Sequence, residues 1–225
     1  AGEMVVLGSD VNRFFYHNYS VATLRNDDYM TLSDELGKII QNTFRSHLTA
    51  LKDRFIAIPL SGGYDSRLIA LMCHKYHPEN VLCFTYGREG NTEAVLAKEV
   101  AEKLSLPWIN IVYSTKSSEG FLNDGFFTDY CKYASELTSM FFMDEYFAVR
   151  YLKANHIIPD DSVFVPGFSG DFIAGGHLLP GIKSKTDADK IVKEIFSRNA
   201  DMIKPSNIEK KALSSQIKMK VNTHF

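Results

Sequence analysis

The chain has 225 residues, 45% of them apolar and 23% charged, with a formal net charge of −2. That length supports a sizeable buried core, and the composition excludes a disordered chain, a collagen-like repeat and a coiled-coil rod. The near-neutral balance removes the electrostatic case for a dedicated nucleic-acid binder, which carries a basic excess.

Residues 1–30 are aromatic-rich, with Phe14, Phe15, Tyr16 and Tyr19, and show no sustained period. They read as strand fragments and loop, a linker or remnant ahead of one domain over 31–225. A helix follows. Thr31 and Asp34 stand in a capping-box spacing, and Leu36, Ile39, Ile40, Phe44, Leu48 and Leu51 recur on one face. Phe55 to Leu60 is almost wholly apolar and suits a strand covered on both faces of a parallel sheet, with Pro59 ending its ladder. Ser66–Tyr76 reads as a helix with Leu68, Ile69, Leu71 and Met72 inward.

Val81 to Tyr86 is a second buried strand, ended by Gly87. A helix over Thr92–Leu104 turns Val95, Leu96, Val100 and Leu104 inward, Pro107 breaks it, and Trp108–Tyr113 is a third strand. Residues 120–155 read as helical with an apolar stripe of Phe141, Phe142, Tyr146, Phe147 and Tyr151. Val163-Phe164-Val165 is a fourth strand, stopped by Pro166-Gly167, and 186–220 is a polar, lysine-bearing helical segment broken at Pro205. Strands alternating with helices at this spacing predict an α/β fold: a doubly wound parallel sheet of about five strands with helices on both faces.

Three cysteines, Cys73, Cys83 and Cys131, form no C-x-x-C pair and read as free thiols. No apolar run reaches the roughly 18 residues a membrane span needs, and the first residues lack a basic start followed by an apolar stretch. The expectation is a cytoplasmic protein without membrane or nucleic-acid partners.

The chemistry concentrates in Ser61-Gly62-Gly63-Tyr64-Asp65-Ser66, between a buried strand and a helix. Ligands of open parallel sheets bind at the carboxyl ends of strands. Adjacent glycines let the backbone curl so that several N–H groups point inward, Ser61 and Ser66 add hydroxyls, and the helix directs its positive end at the same place. The product is a phosphate cradle. It lacks the lysine of the G-x-x-x-x-G-K-[ST] loop and carries Asp65 instead. A carboxylate beside phosphate needs a bridging cation, so Asp65 implies Mg²⁺. The plain alternative is a tight turn with an Asp-Ser helix cap.

The hexapeptide resembles the S-G-G-x-D-S pyrophosphate loop of the ATP pyrophosphatase superfamily, whose members cleave ATP between the α and β phosphates and adenylate a substrate. A second segment, Val163 to His177, again runs from a strand into glycines and one carboxylate, Asp171. It resembles the S-G-E-G-A-D-E-L-F-G-G-Y segment of asparagine synthetases and the related β-lactam synthetases. Gly167 matches the first glycine, Asp171 the aspartate that ligates magnesium and pyrophosphate, and Gly175-Gly176 the closing pair. A helix cap is the plainer reading of Asp171. Phe84-Thr85-Tyr86-Gly87 resembles the strand end that borders the adenine in that family, and the likeness covers roughly residues 30–180.

This resemblance implies an adenine-nucleotide-alpha-hydrolase-like fold and an ATP- and Mg²⁺-dependent, AMP-forming amide ligase. Asp65 and Asp171 would hold the metal. Leu60, Ser61, Gly62, Gly63, Ser66, Tyr86, Gly87 and Gly167 would border the nucleotide. A carboxylate would be adenylated and passed to ammonia or an amine, with a glutaminase domain expected in the full-length protein and a homodimer compatible with the reading. The chain departs from the pattern at Phe168 and Phe172, which replace acidic residues, and at Pro166, which replaces a serine. The first of those acidic residues helps bind the reacting substrate in asparagine synthetases. No lysine here, Lys183 and Lys185 included, aligns with the family's downstream lysine. The chain therefore reads as a fragment or reduced version of a larger synthetase. Two other readings stay open: adenylation of tRNA or a small molecule by another member of the superfamily, and a nucleotide-binding module that no longer turns over.

Overall fold

The computed structural model describes residues 3–16, 25–76, 79–135, 143–168, 170, 188–200 and 206–224. The chain divides into two units, one of Ala1–Asp28 with Gly175–Phe225, the other of Tyr29–Ala174.

The second unit is an α/β sandwich. Its elements run α1 (Tyr29–Ala50), β3 (Ile56–Pro59), α2 (Tyr64–Tyr76), β4 (Val81–Arg88), α3 (Thr92–Lys103), β5 (Trp108–Tyr113), two short 3-10 turns at Lys116–Ser118 and Phe121–Asn123, α4 (Gly125–Ser135), α5 (Tyr146–Ala154) and β6 (Val163–Phe164). The sheet is parallel, in the order β5-β4-β3-β6. The fold class matches the sequence expectation, with four strands in this sheet among the described residues where about five were expected.

The order fixes where a ligand belongs. From β3 the chain moves outward through β4 to β5, then returns to β3's other side as β6. Adjacent β3 and β6 thus form the switch point of a doubly wound sheet, the crevice where loops leave in opposite directions. Pro59 has a one-sided effect. The even residues of β3 bond to β4, and Leu60 N–H still donates to the Phe84 carbonyl at 2.8 Å. The odd residues face β6, where Val165 N–H donates to Ala57 at 3.0 Å and the Pro59 nitrogen has no hydrogen to extend the ladder.

Side chains alternate along β3 and β4, so the sheet has two cores. One holds Ile56, Ile58, Leu60, Val81 and Cys83 against Leu48 of α1, Ile69, Ala70 and Cys73 of α2, and Ala97 and Ala101 of α3. The other holds Ala57, Leu82, Phe84 and Ile111 against Ala148 and Leu152 of α5. Several inward faces differ from those read in the sequence. In α3 the alanines Ala94, Ala97 and Ala101 are buried while Val95 and Leu96 are exposed. In α2 the buried set is Ile69, Ala70, Met72 and Cys73, and Leu71 is exposed. In α1 only Leu48 is fully buried, and Leu36 and Ile39 face solvent. The α1 helix also starts at Tyr29, after Asp28, so Thr31 lies in its first turn and is not its cap. Gly87 does not end β4: it pairs with Val112, and its φ of +145° is one that side-chain-bearing residues avoid. Among the described residues, the helical stretch expected over 120–155 holds the second 3-10 turn, α4 and α5, and Phe141 and Phe142 lie outside the described residues.

In the first unit, β1 (Glu3–Leu7) and β2 (Val11–Phe15) form an antiparallel hairpin with Glu3 opposite Phe15. The same unit holds α6 (Ala188–Ala200) and α7 (Asn207–His224), which pack through Ile191, Val192, Ile195 and Ile217. A capping box is formed here: Ser206 N–H and hydroxyl both donate to Glu209 Oε2 at 2.8 Å, and Glu209 N–H returns to Ser206 Oγ. Those bonds hold the Glu209 carboxyl below its ordinary value. Pro205, Lys183 and Lys185 lie outside the described residues. Among the described residues no helix is long and apolar enough to cross a membrane.

Candidate functional site

At the carboxyl end of β3 the chain turns through Leu60, Ser61, Gly62 and Gly63 into α2. The turn is tied to itself. Ser61 N–H donates to Ser66 Oγ at 3.0 Å, the Ser61 and Ser66 hydroxyls meet at 2.9 Å, and Gly63 N–H donates to Ser61 Oγ at 3.1 Å. The two serines are thus the internal brace of the loop. Thr85 braces it from below. Its hydroxyl donates to the Leu60 carbonyl at 2.7 Å and accepts from Trp108 Nε1 at 2.9 Å. No local sequence pattern predicts this brace, which depends on β4 lying between β3 and β5.

The first residues of α2 present peptide N–H groups that have no partner within the helix, and the helix dipole adds positive potential there. The first helical bond is Arg67 N–H to the Gly63 carbonyl, at 3.4 Å. Arg67 Nε also donates to that carbonyl at 3.2 Å, and its guanidinium lies 4.4 Å from the centre of the Tyr64 ring. No motif in the sequence singles out Arg67.

From the other side of the switch point the segment after β6 closes onto this helix start. A Cβ on Gly167 would stand 2.8 Å from the Ser66 amide nitrogen and 3.2 Å from the Asp65 carbonyl carbon. A Cβ on Gly170 would collide with the Asp65 carboxylate. Only backbone without side chains fits so close. On the third side, a Cβ on Gly62 would lie 3.0 Å from Leu96 Cδ1, which explains why Leu96 of α3 is not in the core.

The fold therefore gathers Leu60, Ser61, Gly62, Gly63, Asp65, Ser66 and Gly167 around one helix start. Asp65 is half-buried and, among the described residues, has no hydrogen-bond or ion-pair partner. An anionic oxygen pair in that state, held beside a nest of amides, suits a hard divalent cation bridging to phosphate oxygens. Asp171 lies outside the described residues, as do Gly175, Gly176 and Phe172. Among the described residues no three His, Cys, Asp or Glu side chains converge as a metal cluster. Phe168 is 60% exposed.

Tyr86 and Gly87 occupy the carboxyl end of β4, but the Tyr86 side chain points to the α5 face. Its ring stacks on Tyr113 with centroids 5.6 Å apart, and its hydroxyl donates to Glu145 Oε1 at 3.5 Å. Burial, with the Glu145 charge adding, pushes the Tyr86 phenol above its ordinary value. Burial likewise raises the Glu145 carboxyl, against the lowering effect of the Tyr86 hydrogen bond. Of the residues expected around the nucleotide, Tyr86 is the one whose side chain stands apart from the cradle.

The asparagine synthase family model matches residues 35–220. The chain is 31% identical over 116 residues to a probable glutamine-hydrolysing asparagine synthetase of Acanthamoeba polyphaga mimivirus, a match covering 48% of this chain and 21% of the relative. The chain thus spans about a fifth of the length of that curated relative. An NH3-dependent NAD synthetase from Campylobacter jejuni, solved with nitrate, aligns over 88% of this chain and 94% of its own at 12% identity, with a TM-score of 0.37. The match of the family model over most of the sequence settles the assignment: this chain belongs to the asparagine synthase family, within the superfamily of ATP pyrophosphatases that carry the pyrophosphate loop.

Proposed function

We propose that this chain is the adenylating part of an ATP-dependent, AMP-forming amide ligase of the asparagine-synthetase kind. A substrate carboxylate oxygen attacks the α-phosphorus of ATP and the bond to pyrophosphate breaks. Ammonia or an amine then takes the acyl carbon, releasing AMP and a proton. The observation that carries this reading is the cradle at the switch point, where the backbone of Gly167 and Gly170 closes onto Asp65 and Ser66.

In this reading the start of α2 and the Gly62-Gly63 turn hold the leaving pyrophosphate, and Ser61, Ser66 and Thr85 keep the turn in shape. Leu60, Gly167 and the backbone of Tyr86 and Gly87 border the adenine. Asp65 and Asp171 hold Mg²⁺, which when bound would offset the charge gathering on pyrophosphate as it departs. A glutaminase domain in the remainder of a full-length protein supplies ammonia, the protein is cytoplasmic, and a homodimer is compatible with the reading.

The test is ATP–pyrophosphate exchange across a panel of carboxylates. Asp65→Ala should lower exchange by about 10²–10³-fold, the usual loss when an electrostatic stabiliser is removed. Exchange that survives this substitution unchanged overturns the reading. A second reading rests on Phe168, exposed where the family carries a substrate-binding acid: a nucleotide-binding module without turnover. ATP binding by calorimetry with no exchange on any carboxylate would favour it.

A further inference from the structure

On the α5 face of the sheet, apart from the cradle, lies a cavity of about 210 Å³ lined by Tyr130, Glu145, Tyr146, Val149 and Arg150. Two of its five lining residues are aromatic: the Tyr130 and Tyr146 rings lie 5.0 Å apart, and Phe127 backs Tyr146 at 5.0 Å. One carboxylate and one guanidinium enter it. Arg150 is already committed, paired with Asp124 and donating to the Tyr146 hydroxyl at 3.4 Å. Glu145 is not. It stands at the N-cap of α5 yet makes no capping bond, and among the described residues its carboxylate meets only the Tyr86 hydroxyl, with no cation paired to it.

Chemistry selects the ligand. Glu145 and Asp144 put negative charge at the start of α5, where an anion would otherwise be drawn. Burial already raises the Glu145 carboxyl, and Asp144 adds to the rise, so an arriving cation relieves an existing cost. Aromatic faces favour a cation that carries carbon as well as charge. Size points the same way. Ammonia needs about the 30 Å³ of a water molecule, while an apolar cavity of about 150 Å³ accepts benzene. The 210 Å³ here fits a chain- or ring-bearing amine.

Tyr86 links this cavity to the nucleotide end of the sheet. Its hydroxyl is on Glu145, and its backbone lies two residues beyond Phe84, whose carbonyl holds Leu60.

We infer that the Tyr130–Glu145–Tyr146 cavity binds a protonated organic amine, an alkyl- or arylalkylammonium ion. This binding does not depend on the ligase reading above.

The experiment is calorimetric titration of the 225-residue chain at neutral pH with benzylamine, and with benzyl alcohol and ammonium chloride as comparators. Benzylamine should bind at least about tenfold more tightly than either comparator, and Glu145→Gln should remove that advantage. Equal affinity for benzylamine and benzyl alcohol, or an unchanged benzylamine affinity in the Gln variant, overturns the inference. Glu145→Gln keeps the size of the side chain and an acceptor for Tyr86. If it nevertheless unfolds, Tyr130→Leu decides: a tenfold loss of benzylamine affinity supports the site, and no loss overturns it. Exchange measured on the same native sample separates the two readings. Exchange without benzylamine binding overturns the cavity and leaves the ligase. Benzylamine binding without exchange on any carboxylate overturns the ligase reading and leaves the cation site.

Discussion

On one face of the parallel sheet the helices meet β3 and β4 through Ala70, Cys73, Ala97 and Ala101, all fully buried; on the other, Phe84, Tyr86, Tyr113 and Phe164 stack or meet edge-on across the strands, and α5 covers them through Ala148, Leu152 and the Phe147 ring, edge-on to Tyr113. Small residues let α2 and α3 lie close to the strands and leave little room to move. The glycine-rich turn, which hangs from β3 and is touched by Leu96 of α3, inherits that rigidity. Tyrosine rings bring hydroxyls that need partners when buried. Tyr113 accepts from Ala148 N–H and donates to the Asp144 carbonyl, Tyr86 donates to Glu145, and a cavity remains beside them. One sheet therefore carries a braced glycine turn at its end and a half-open space on one face.

The largest expected effect tests the aromatic face. Phe84 is 1% exposed and touches both Tyr86 and Phe164. Phe84→Ala should cost about 3–5 kcal/mol in urea unfolding, the usual cost of truncating a buried ring. A loss below about 1 kcal/mol would mean that this face collapses around the gap and is no more ordered than a surface cluster.

The small-residue face predicts the opposite kind of sensitivity. Ala97 is fully buried, so Ala97→Leu adds atoms where there is no space and should cost about 1–3 kcal/mol. Because the neighbouring Leu96 lies against Gly62, displacement of α3 should also weaken ATP binding, read by calorimetry. Loss of stability with unchanged ATP affinity would separate the cradle from the face that is said to hold it.

The same contrast governs what the sequence disclosed. The strands were legible because an apolar run bounded by turn residues has few other uses in a chain of this composition. The helix faces were less so. A reading by hydrophobicity turns Val95, Leu96 and Leu71 inward, whereas close helix–sheet packing selects the small residues Ala97, Ala101 and Ala70. The cradle was legible because its parts are contiguous from Leu60 to Ser66. The Thr85 brace, the closure by Gly170 and the link from Tyr86 to Glu145 were not, since each depends on strand order or register, which no local pattern encodes. Capping boxes show the limit of local signals: the spacing occurs at Thr31 and at Ser206, and only Ser206 caps a helix.

Each face also buries weak acids, and their titration gives the smallest effect. Burial pushes the Cys73 thiol up to about 11 and, with Cys73 beside it, the Cys83 thiol up to about 12, from 9.0. On the other face, burial holds the Tyr86 and Tyr113 phenols above their ordinary 10.0. A raised acid keeps its proton longer in the folded chain than in the unfolded one. The stability it protects is whole below the unfolded value and is lost as pH rises toward the folded one. The thiol face should therefore begin to weaken the fold near pH 9 and the phenol face about one unit later. At pH 10 each thiol should cost about 1 kcal/mol. Urea midpoints taken between pH 8 and 10 should fall in the native chain and fall less in a Cys73→Ala, Cys83→Ala variant. A flat profile in the native chain would mean that neither thiol is sealed in the small-residue core. An equal fall in both proteins would shift the alkaline sensitivity to the aromatic face.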